Sequence, residues 1–107
     1  EDMKVMCMET FAPVVSIVAY DDFSEVIQRV NHSDFGLQAG VYTKDINKIL
    51  EAVEDLEVGG VMINDTATYR VDHLPYGGNK LSGLGREGVK FAMEDMLSIK
   101  MVMINRN

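Results

Sequence analysis

The chain has 107 residues, 47% of them hydrophobic, with one cysteine, a formal net charge of −7 and a pI near 4.6. That length supplies one domain or a piece of one, with enough apolar content for a core rather than disorder, although a unit this small has a thin stability margin. The acidic balance argues against nucleic acid or an anionic membrane as partner, the lone Cys7 excludes an internal disulfide framework, and no apolar run reaches bilayer length, all of which fits a reducing, cytoplasmic setting.

Residues 14–20 (VVSIVAY) are a β-branched run, long enough for a buried strand and too short for a helix. Asp22 then reads as a helix N-cap, with Glu25 three residues on as in a capping box and Phe23, Val26, Ile27 and Val30 at helical spacing. The region of Gly36 closes that element, and residues 39–43 (AGVYT) read as a second strand. Asp45 is the next N-cap. Ile46, Ile49, Leu50, Val53 and Leu56 follow as one apolar stripe, which Gly59-Gly60 is expected to stop. A third strand at 61–64 (VMIN) leads into a long glycine-bearing loop. A helix with Val89, Ala92, Met93, Met96 and Leu97 on its stripe comes next, and residues 99–105 (IKMVMIN) read as a closing strand. The order β-α-β-α-β-loop-α-β predicts an α/β fold with at least part of its sheet parallel, the two central helices sharing one face. The last strand is also suited to pairing with another chain's edge.

Inside the loop, Gly83, Gly85 and Gly88 spell G-x-G-x-x-G. A dinucleotide fingerprint needs a strand directly before the first glycine and an acid about twenty residues on. Here LPYGGNKLS precedes it, and MVMIN, with no acid, lies at the later position. A P-loop fails as well, since Leu84 and not lysine follows Gly83. The glycines are instead expected to supply positive φ angles and close packing in a tight loop. His32 and His73, distant in sequence, and the single cysteine match no metal-ligand spacing, so no metal site is expected. The eight methionines read as core filler, and His32, after a helix, as a surface residue.

Four stretches, METFAPVVSIVAYDD, FGLQAGVYTKD, VGGVMIND and LPYGGNKLSGLGREG, resemble in order and spacing the C-terminal part of aldehyde dehydrogenases. The resemblance spans nearly the whole chain. It implies that residues 1–98 are part of a three-layer, mostly parallel-sheet α/β catalytic domain and that 99–107 form a terminal strand of an oligomerisation sheet. Glu9 and Phe11 fall on the family's contacts to the nicotinamide-side ribose and ring of NAD or NADP, roles that a carboxylate acceptor and an aromatic ring suit. Met8 and Ala12 depart from the glutamate and glycine usual there. Residues 65–76 match the segment lining the aldehyde entrance, in wording closest to enzymes of lactaldehyde or glyceraldehyde 3-phosphate. Arg70 or His73 is therefore expected to meet an anionic or polar substrate tail; equally open is an Arg70 paired with Asp72 or another surface acid.

In the family the nucleophilic cysteine, the general-base glutamate and the nucleotide-binding domain all lie upstream of the block at Glu9. Cys7 is no substitute: it sits two residues before Glu9, and Met6 and Met8 offer no cationic neighbour to favour a thiolate. A buried or half-buried structural thiol is expected. The resemblance thus implies a segment that is inactive alone and completed by the upstream domains of the same enzyme, with a small aldehyde as substrate and a homo-oligomeric assembly. The alternative is a stand-alone α/β binding or assembly module without catalysis.

Overall fold

The computed structural model describes residues 3–106. After a one-turn helix, α1 (Lys4–Cys7), residues 9–21 run without helix or strand to α2 (Phe23–Asn31). Two short strands follow, β1 (Phe35–Gly36) and β2 (Gln38–Val41), then α3 (Ile46–Asp55), β3 (Gly60–Ile63), β4 (Asn79–Lys80) and α4 (Val89–Met96).

Both expected aspartate caps form, because each depends only on residues within one turn. The Glu25 N–H donates to the Asp22 carboxylate at 2.7 Å, and the Asn47 N–H donates to that of Asp45 at 2.9 Å. Each cap satisfies a backbone donor that the first turn leaves orphaned, worth about 1 kcal/mol. The end of α3 differs from expectation. Leu56 closes it in an extended conformation, and Gly60 opens β3 instead of helping to stop a helix.

The β2-α3-β3 segment is a parallel crossover unit, with Gln38 opposite Gly60 through to Val41 opposite Ile63. Helices α2 and α3 lie together, tied by the Ser24 hydroxyl to Glu51 and by the Asn31 amide to the Asp55 carbonyl. Buried Ile27 and Ala52 sit one on each helix. The α3 stripe divides: Ile49, Ala52 and Leu56 turn inward, whereas Ile46, Leu50 and Val53 stay exposed.

The two outer runs read as strands do not form strands. Residues 14–20 and 99–105 have extended or irregular backbone with no ladder, and their apolar side chains face solvent, Ile17 at 91% and Ile99 fully. A strand exists only where a neighbour supplies its hydrogen bonds, and these runs find none among the described residues. The methionines likewise fill no core here: Met62 is half-buried and the others are exposed. Accessible surface totals 9138 Å² and the radius of gyration is 18.5 Å. A compact monomer of this mass would show roughly 5,900 Å² and about 13 Å. Much of the apolar content that promised a core lies on exposed surface instead.

Candidate functional site

The glycine loop is fixed against the first half of the fold by backbone pairing and three polar ties. Strand β4 pairs antiparallel with β1, Phe35 opposite Lys80 and Gly36 opposite Asn79. The Leu81 N–H donates to the Asp34 carbonyl at 3.0 Å, and the Gly36 N–H to the Ser82 hydroxyl at 2.9 Å. Lys80, held at a φ of 55°, sends its ammonium to the carbonyls of Asn31 and Ser33 and to Glu57 Oε2 at 2.8 Å. A cation at the end of α2 suits the helix dipole and its orphan carbonyls. Asn31 completes the tie, since its amide oxygen accepts from the Glu57 N–H at 2.9 Å. Arg86 staples the loop from within, to the carbonyls of Gly78 and Gly85 at 3.0 and 2.8 Å and to Asn79 Oδ1 at 2.7 Å.

The glycine spelling receives its explanation here. Gly83, Gly85 and Gly88 have φ of 142°, 70° and 111°, the positive values expected for them, and Gly88 ends the loop as the residue before α4. Strand β4 ends at Lys80, and Leu81 and Ser82 turn the chain before Gly83.

Of the hollows along this loop, two take in residues expected at a site. The first, of about 720 Å³, has Met8 and Glu9 on one side and Gly36, Leu37, Gln38 and Ser82 on the other. Glu9 thus shares a hollow with the residues of the β1–β2 junction. Phe11, two residues along the same arm, is 94% exposed and does not line that hollow. The second hollow, of about 410 Å³, is bordered by Arg70, Asp72, Tyr76, Glu87 and the start of α4. Arg70 Nη2 donates to Glu87 Oε2 at 2.6 Å, and its guanidinium lies 4.4 Å from the Tyr76 ring centre. The pairing acid is thus Glu87 and not Asp72. Tyr76 and Glu87 exchange both backbone hydrogen bonds, at 3.1 and 2.6 Å. The segment before them is pinned by Gln38 Nε2 donating to the Tyr69 carbonyl at 3.1 Å. His73 is exposed on the same segment.

The structure therefore keeps Glu9 and Arg70 in separate hollows and places neither Phe11 nor His73 in a closed pocket. Cys7, expected to be buried or half-buried, is exposed on α1, a single turn that buries none of its residues. Among the described residues no group of three or more histidine, cysteine, aspartate or glutamate side chains could hold a metal ion, and no helix is long and apolar enough to cross a membrane. Reading the sequence missed Lys80, Asn31 and Glu87, whose partners are distant in the chain and left no local signal.

The arrangement is of the α/β class, a parallel crossover unit with a glycine-locked loop seated against it. The aldehyde dehydrogenase family model matches residues 1–102, and the chain belongs to that family. It is 50% identical over 105 residues to the 3-sulfolactaldehyde dehydrogenase of Priestia megaterium, covering 98% of this chain and 22% of that protein. The lactaldehyde dehydrogenase of Methanocaldococcus jannaschii is 48% identical, over 96% of this chain and 22% of its own length. Among solved structures, the glyceraldehyde-3-phosphate dehydrogenase GapN of the same archaeon, complexed with NADP, superposes with a TM-score of 0.90 at 48% identity, over 98% of this chain and 23% of that one. Aldehyde dehydrogenase 21 of Physcomitrella patens, in complex with its product succinate, gives 0.71 at 54% identity, over 74% of this chain and 16% of its own. The chain thus spans under a quarter of the length of these relatives.

Proposed function

We propose that this chain is the C-terminal part of an NAD(P)-dependent enzyme that oxidises a short aldehyde to its carboxylic acid. Residues 1–98 belong to the catalytic domain, and 99–107 form a strand that pairs with another subunit, which would give the exposed apolar edge of that run its hydrogen bonds. Glu9 and Phe11 contribute to the cofactor site, Arg70 and His73 to the substrate entrance. The observation that carries this reading is Glu9 lining the 720 Å³ hollow, within a chain that matches the family along nearly its whole length.

The Glu9 carboxylate suits the hydroxyls of the cofactor's ribose. An ionised carboxylate only accepts, so its two oxygens can take one ribose hydroxyl each and fix the sugar. The exposed Phe11 ring supplies a flat apolar surface against which a nicotinamide can be held. NAD(P)⁺ when bound supplies the hydride acceptor. Arg70 can take a phosphate or sulfonate tail through its planar fork, which suits the sulfolactaldehyde and glyceraldehyde 3-phosphate named for two of the relatives. The nucleophile and general base that this chemistry requires come from the upstream part of the polypeptide. A stand-alone binding module fits less well, because it would have to tolerate the exposed faces of α3 and of both outer runs.

The test is Glu9→Gln in the full-length enzyme. Replacing two charge-assisted hydrogen bonds by weaker neutral ones raises the KM for NAD(P)⁺ about tenfold or more while the aldehyde KM stays put. An unchanged cofactor KM and kcat would remove Glu9 from the site. Arg70→Ala tests the entrance: preference for phosphorylated over neutral aldehydes falls, and an unchanged preference overturns that role.

A further inference from the structure

The guanidinium assigned to the substrate's anionic tail already has an anion beside it. Glu87 Oε2 lies 2.6 Å from Arg70 Nη2, and both side chains border the 410 Å³ hollow, 63% and 49% exposed. We propose that Glu87 is a specificity-determining residue: its carboxylate occupies Arg70 when no substrate is present and competes with a phosphate or sulfonate tail for the same donors. It thereby sets how strongly the site separates anionic from neutral aldehydes. This rests on the reading of Arg70 given under Proposed function.

Three features support competition over a purely structural ion pair. The first is how two groups so distant in sequence are brought to meet. The Tyr76–Glu87 backbone bridge fixes the Glu87 backbone directly opposite Tyr76, and the Tyr76 ring lies against the guanidinium. Arg70 is therefore held by an aromatic surface that does not depend on the Glu87 charge. The second is stoichiometry. The Glu87 carboxylate engages one terminal nitrogen of a group with five N–H donors, whereas a phosphate or sulfonate can take two at once. The third is exposure. A half-exposed pair is weak, so a tail that binds in the bidentate mode can displace it. An entrance built this way lets neutral aldehydes pass a cation that is already neutralised and makes anionic ones displace the resident carboxylate.

The experiment measures kcat/KM for glyceraldehyde 3-phosphate and for lactaldehyde in the full-length enzyme, for the unaltered protein, Glu87→Gln, Arg70→Ala and the double variant. The ratio of the two values is the readout, so any loss of turnover common to both substrates cancels. Glu87→Gln keeps length and shape and removes the charge, and the ratio rises about threefold to fivefold in favour of the phosphorylated aldehyde. In the Arg70→Ala background the same change leaves the ratio where it is. Glu87→Asp, which withdraws the carboxylate by one methylene, raises the ratio by less than Gln does; should the Gln variant not fold, that rise still decides the question. A ratio that is unchanged or falls on neutralising Glu87, while Arg70→Ala abolishes the preference, overturns the competition and leaves Arg70's role intact. If Arg70→Ala itself leaves the ratio unchanged, the substrate reading of Arg70 fails first and the competition with it.

Discussion

Gly59→Ala tests whether the glycine loop is seated as described. A Cβ on Gly59 would lie 1.6 Å from the Gly77 carbonyl oxygen, 2.7 Å from its carbonyl carbon and 3.0 Å from the Leu37 oxygen. Ordinary contact begins at 3.4 Å, so the Gly77 backbone has to retreat, and every atom met is main chain with no rotamer to yield. Any movement of the Gly59 backbone away from Gly77 strains the hydrogen bonds from the Gly59 N–H to the Gly36 carbonyl and from the Gly60 N–H to that of Leu37, at 3.0 and 3.2 Å. Two such bonds at about 1 kcal/mol each, with an overpacking cost of about 1–3 kcal/mol, give a loss of roughly 3–5 kcal/mol. The neighbouring Gly60→Ala is the control: its Cβ meets the tip of Met62 at 3.2 Å and the Gln38 side chain at 3.4 Å, both able to move. That change costs within about 1 kcal/mol. Urea unfolding of the two variants of the full-length enzyme, followed by the same probe, reads the difference. Midpoints that coincide would refute the seating of the loop on the start of β3.

The other predictions concern the ties and the exposed faces. Asn31→Ala removes one acceptor and one donor that bridge α2 to the α3–β3 turn, at 2.9 and 2.6 Å, and lowers stability by about 1–2 kcal/mol in the same unfolding assay. Asn31→Asp keeps the acceptor for the Glu57 N–H and loses only the donor, so it falls between Ala and the unaltered chain; equal losses for both would show that the bridge has no effect. The isolated 107-residue chain, with Val15, Ile17, Ile99 and Met101 all more than 80% exposed, self-associates in sedimentation at micromolar concentration. A well-behaved monomer as compact as its mass allows, with a radius of gyration of about 13 Å, would speak for the stand-alone module.

Legibility followed the range of the interactions. The caps at Asp22 and Asp45 were readable, and so was the strand expected at 61–64, which the structure sets at Gly60–Ile63, because a cap or an apolar run is local. The positive φ angles of Gly83, Gly85 and Gly88 were readable for the same reason. The outer runs 14–20 and 99–105 carry strand composition, but a strand also needs a neighbour, and none stands among the described residues. Strands β1 and β4 are two residues each, too short to leave any periodicity. At the site, Glu9, Phe11, Arg70 and His73 came from resemblance, while their surroundings depended on folding. The hollow beside Glu9 needs β1 and Ser82 brought together, and the partner of Arg70 is the sequence-distant Glu87 rather than the nearby Asp72. Lys80 gave no signal at all, since its role as a cap for α2 depends on the carbonyls of Asn31 and Ser33, far earlier in the chain.

On the function proposed above, these elements serve chemistry whose thiol and general base are carried elsewhere in the polypeptide. The most direct test is aldehyde-dependent NAD(P)H formation by the purified 107-residue chain, run beside the full-length enzyme with glyceraldehyde 3-phosphate and lactaldehyde. Turnover is expected from the full-length enzyme and none from the chain alone. Sustained NAD(P)H production by the isolated chain would contradict that division of labour.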